Sequence, residues 1–134
     1  MAHPCVPRLP ARRLAAALVL VVAASVAGAC GGEDRASIEV VKGDGAVTHE
    51  YVIPFGTAQR VQGGEKVELV PQTLRVQVGD SIRIRNDDNY ASQVGIFHVG
   101  AGETVTMKFT KPGKLTGSCD VHPSGTFTID VKDV

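Results

Sequence analysis

From Leu74 onward the chain alternates apolar and polar residues with a period of two, and this pattern excludes most folds. Leu74, Val76 and Val78 alternate with Arg75 and Gln77; after Gly79 and Asp80, Ile82 and Ile84 alternate with Arg83 and Arg85. Val105, Met107 and Phe109 alternate with Thr106 and Lys108, and Phe127, Ile129 and Val131 with Thr126, Thr128, Asp130 and Lys132. Successive side chains of a strand point to opposite faces, so each run offers one face to a core and one to water. The pattern predicts a hairpin over 74–85, a strand over 105–109 that turns at Lys111-Pro112-Gly113-Lys114 and returns through 115–119, and a last strand over 127–131. Upstream, Ile38, Val40 and Val41, a turn at 42–46 and Tyr51-Val52-Ile53 predict an opening hairpin. Residues 55–64 are rich in turn formers and read as a loop over one end or edge, with no helix expected. Short strands at intervals of about ten residues predict an all-β fold, an antiparallel β-sandwich.

Residues 1–29 are of another kind. Arg8, Arg12 and Arg13 precede an apolar run over 14–26, too short for an ordinary membrane-spanning helix, so the segment reads as a signal peptide. It ends in Val26-Ala27-Gly28-Ala29-Cys30-Gly31-Gly32, which resembles the bacterial lipoprotein signal with cleavage before Cys30 and lipid on that residue. The alternative is ordinary secretion with Cys30 left free. Lipidation would place the protein outside the cytoplasm, anchored to the cell membrane through Cys30, with 30–36 as a polar tether and 37–134 as the domain. Removing the three leader arginines from 14 basic residues leaves 11 against 14 acidic ones, a net charge of −3. No basic face for nucleic acid is expected from that balance.

Of three cysteines, Cys5 leaves with the leader and Cys30 takes lipid, so Cys119 has no disulfide partner. A small hydrophobe in the core is the plain account of such a thiol. Its neighbours suggest more. In Gly117-Ser118-Cys119-Asp120-Val121-His122-Pro123-Ser124-Gly125 a histidine follows the cysteine on one short turn, and thiolate and imidazole are ligands that copper or zinc prefer.

The blocks Leu74-Arg-Val-Gln-Val-Gly-Asp-Ser-Ile-Arg-Ile-Arg-Asn-Asp-Asp88, Gly102-Glu103-Thr104, Phe109-Thr-Lys-Pro-Gly113 and 117–125 together resemble the cupredoxins, the small blue copper proteins, and within them the plastocyanin-like and amicyanin-like members. The resemblance covers about 74–131 and implies a Greek-key β-sandwich with copper held near Cys119 and His122. It also exposes two departures. The family's first histidine falls at Ser92, counted from Asn86, and the axial methionine after the second histidine is missing from Pro123-Ser124-Gly125-Thr126. His98 shares strand parity with Ser92 if 92–98 is extended, but six residues of strand span about 20 Å, so it approaches only if the chain folds back. Met107 suits a core position better than an axial one. Asp87 and Asp88 offer oxygen ligands or, more commonly for such a pair, cap a turn.

Three functions stay open: a redox cupredoxin serving a redox partner, an open site that binds or hands copper to a partner protein without cycling electrons, and a metal-free binding or structural module. No paired carboxylates, activated nucleophile or phosphate loop stands at a spacing suited to catalysis, so an enzyme is not expected.

Overall fold

A computed structural model of the chain describes residues 35–41 and 46–134. The signal peptide, Cys30 with its expected lipid, most of the tether, and all but Ala46 of the turn at 42–46 lie outside the described residues. Ala36 is already buried, so packing begins one residue before the expected domain start.

The described residues form β1 (Ser37–Val40), β2 (His49–Ile53), helix α1 (Thr57–Gln62), β3 (Thr73–Gln77), β4 (Ser81–Asn86), β5 (Ser92–Val94), β6 (Phe97–Val99), β7 (Thr104–Lys111), β8 (Gly113–Ser118) and β9 (Thr126–Lys132). One sheet has the order β1-β7-β4-β2 and another β3-β9-β8, while β5 and β6 form a separate hairpin. Most of the alternating residues do what their period requires, although in β7 Thr106 is buried while Val105 and Met107 are half-buried. Ile82, Ile84 and Phe109 from the first sheet and Leu74, Val76, Leu115, Phe127, Ile129 and Val131 from the second belong to one buried cluster, and Val94, Phe97 and Val99 of the hairpin join it. Each of these side chains contributes about 1.5–3 kcal/mol by leaving water, which makes the common core the main source of stability. The expected all-β sandwich is therefore the fold observed.

Strand partners differ from the expected hairpins. β1 pairs with β7 and β2 with β4, so the first two strands stand at opposite edges of one sheet. β3 and β4 do not pair either: β3 runs parallel to β9 in one sheet while β4 lies between β2 and β7 in the other. The reason is that alternation reports which face is buried and not which strand is adjacent, and a corner between sheets keeps it as well as a hairpin does. At that corner Gly79 has φ +98°, its N–H donates to the Phe109 carbonyl, and Phe109 N–H donates to the Asp80 carbonyl. The turn at 111–114 is likewise a crossing, since β7 pairs with β1 and β4 whereas β8 pairs with β9.

Within the expected loop, Thr57–Gln62 is helical. A six-residue helix is too short to hold by propensity. It is held from outside: the Asp88 carboxylate, 30 residues away, accepts from Ala58 N–H at 2.7 Å and from Gly56 N–H at 3.1 Å. That contact leaves no local trace in 55–64.

Candidate metal centre

The turn carrying Cys119 is positioned by β5. Val94 and Cys119 form an antiparallel bridge, Gly95 N–H donates to the Ser118 carbonyl at 2.7 Å, and Asp120 N–H donates to the Gln93 carbonyl at 2.9 Å. The Asp120 carboxylate accepts in return from Gln93 N–H at 2.8 Å. Continuing this register sets Ser92 opposite Val121. The two backbones are so close at Gly117 that a Cβ there would overlap the Gly95 carbonyl, which is why a glycine stands in the middle of the strand. Ser92, Val94, Cys119 and Val121 are all buried.

Beyond Cys119 the chain closes on itself. Cys119 N–H donates to the Gly125 carbonyl at 2.9 Å and Gly125 N–H to the His122 carbonyl at 3.0 Å, with Gly125 at φ +70°, a conformation that suits glycine. The Cys119 thiol is free and only 3% exposed. Burial pushes its pKa up; the Val121 N–H opposes this, the Asp120 charge adds to it, and the Gly95 N–H opposes it again.

His122 is held through one ring nitrogen. Its Nδ1 accepts from Ser124 N–H at 3.0 Å and lies 2.7 Å from Ser124 Oγ, while Nε2 stands 3.9 Å from Glu68 Oε1. An amide N–H needs an acceptor, so the neutral ring carries its proton on Nε2, toward Glu68. The side chain is 11% exposed.

Cys119 and His122 therefore share one closed turn, and the buried Ser92 lies two residues before Val94, the bridge partner of Cys119. His98 does not join them. The chain does fold back, at Gly95 and Ile96, so the parity argument fails: His98 pairs with Gln93 and is exposed, between the buried Phe97 and Val99. Met107 packs against the core, as its mid-strand place implied. Asp88 is buried and its oxygens serve the amides of Gly56, Ala58 and Asn89, which hold its pKa down, the Ala58 N–H most of all. Asp87 pairs with Arg85 at the surface. Among the described residues, no group of three or more His, Cys, Asp and Glu side chains stands ready for a metal ion.

Two sets of contacts had no signal in the sequence. Glu68 reaches His122 because Leu69 N–H donates to the Val121 carbonyl at 2.9 Å, a pairing outside any alternating run. Asn86, fully buried at the end of β4, donates from Nδ2 to the carbonyls of Tyr90, Val99 and Gly100 and accepts at Oδ1 from Asp88 N–H. It ties together the loop that leads to Ser92.

Cys119 and His122 bring one thiol and one imidazole to the same turn, fewer donors than the thiolate, two imidazoles and thioether of a blue-copper site.

No family model matches the sequence, and no curated protein does. Solved structures give likenesses. Amicyanin from Paracoccus versutus (Thiobacillus versutus) is 14% identical over 71% of this chain and 97% of its own, with a TM-score of 0.45. A reduced Cu(I) form of an amicyanin variant is 19% identical over 74% of this chain and 100% of its own, with a TM-score of 0.44. A purple cupredoxin from Nitrosopumilus maritimus is 20% identical over 63% of this chain and 99% of its own, with a TM-score of 0.42. Their ligands are not carried over at such identities.

Proposed function

We propose that this protein is an extracytoplasmic lipoprotein, anchored through Cys30, whose sandwich binds reduced copper at Cys119 and His122 and passes it to a partner protein without cycling electrons. The observation that carries this reading is that Cys119 and His122 stand on one turn closed by the Cys119 N–H to Gly125 carbonyl and Gly125 N–H to His122 carbonyl bonds, with the thiol buried and free. Copper bound there would be held by the Cys119 sulfur, as thiolate after loss of its proton, and by a nitrogen lone pair of His122. If that nitrogen is Nδ1, the Ser124 N–H must give way. The cost of that exchange makes the site suited to release as well as capture. Ser92 stands where a second imidazole would be needed to stabilise oxidised copper, and a neutral hydroxyl does not replace it.

A competition titration of the full chain with Cu(I) against a coloured chelator tests this. One equivalent is expected to bind without strong visible absorption, with affinity lost in Cys119→Ser; unchanged affinity in that variant would sink the reading.

The Ser124 contacts to His122 favour a second reading, a metal-free binding module in which the imidazole only organises its turn. It predicts no copper-dependent rise in melting temperature, because a ligand bound only by the folded state must raise it.

A further inference from the structure

Beside the turn, a cleft of about 300 Å³ opens between α1 and the two segments that carry Ser92 and Val121. This is at the lower end of the range for small-molecule pockets. Its walls are each held by a polar side chain that acts on backbone. Asp88 fixes the first turn of α1, Asn86 holds the 86–90 loop by donating to the Tyr90 carbonyl at 2.8 Å, and Asp120 ties its own turn to Gln93 through Oδ2. These bonds hold the walls of the cleft. Ala58, Val61 and Val121 make the lining apolar, and Asp120 is the one charged residue among those that line it. Tyr90, also lining it, is 51% exposed.

We propose that this cleft binds a small organic ammonium ion with an apolar substituent. The carboxylate of Asp120 and the ring of Tyr90 both attract a diffuse cation, the first by charge and the second through its π face. The apolar substituent lies against Ala58, Val61 and Val121, where a metal ion or a simple hydrated cation gains nothing. An anion meets the Asp120 charge and no basic side chain in the lining. The site goes beyond copper binding at Cys119 and stands without it.

The test uses the full chain and benzyltrimethylammonium as the probe, with phenylacetate as its anionic counterpart, followed by amide shifts of Tyr90, Ser92 and Asp120. The ammonium is expected to give saturable shifts in the millimolar range and phenylacetate none. Asp120→Asn keeps an oxygen for Gln93 and is expected to weaken binding about threefold at low salt, the size of an exposed charge contact. Tyr90→Leu is expected to weaken it by a similar factor, and Val61→Trp, which fills the cleft, to abolish it. Cys119→Ser is expected to bind the probe unchanged, which separates this site from the copper reading. Equal shifts with phenylacetate, shifts that never saturate, or an Asp120→Asn affinity equal to the parent would overturn the proposal.

Discussion

The middle of the sandwich and its loop end are built on different physics. In the middle, Ile82, Ile84, Phe109, Phe127 and Ile129 are buried to within 1% exposure and are joined by ladder hydrogen bonds between strands. At the loop end, Asn86, Asp88 and Asp120 reach across to backbone groups of other segments. Apolar burial is non-directional and scales with area, so it stabilises without dictating the detailed path of a loop. Hydrogen bonds are directional and individually modest, so they shape the candidate site while adding little to the total.

Substitutions can break this division, beginning with the largest effect. Phe127→Ala, in the middle, is expected to cost about 3–5 kcal/mol in urea unfolding; a loss under about 1 kcal/mol would mean the core is not where the burial places it. Gly117→Ala lies on the boundary, where its Cβ would overlap the Gly95 carbonyl. A cost of about 1–3 kcal/mol is expected, together with weakened copper binding, because the β5 contact that seats Cys119 must move.

Asp88→Asn, at the loop end, is expected to cost about 1–2 kcal/mol at neutral pH, with faster amide exchange at Gly56 and Ala58. Its pH dependence has a definite sign. The folded carboxyl has a pKa below its ordinary value. Its contribution is therefore present above the unfolded value of about 3.9 and is lost as pH falls through the lower folded value. The variant should lose that acid-side slope, and an unchanged slope would remove Asp88 from its place as the anchor of α1. The smallest effect is expected from Ser124→Ala. Losing the hydroxyl contact to His122 Nδ1 should tighten Cu(I) binding about threefold, within the range of one hydrogen bond; weaker binding would mean Ser124 positions the imidazole for metal.

The same division explains how much of the molecule could be read from residues alone. The period-two runs around Ile82, Phe109 and Phe127 gave the fold class and the buried faces, since burial acts on local pattern. They did not give strand partners, because β3 and β4 keep the same alternation whether they pair with each other or part between sheets. The Cys119 to His122 turn was visible from chemistry and spacing. Helix α1, Glu68 and the tie from Asn86 were not, since each depends on a contact between residues far apart in sequence. His98 shows the limit in miniature: parity held only while the strand was assumed straight, and Gly95 turns it.

Copper-edge X-ray absorption on the full chain loaded with one equivalent of Cu(I) reads the ligands of the proposed site themselves. One sulfur and one imidazole are expected around the copper, with the sulfur lost in Cys119→Ser. A first shell of nitrogen and oxygen alone, or identical spectra for the parent and Cys119→Ser, would contradict the proposed site.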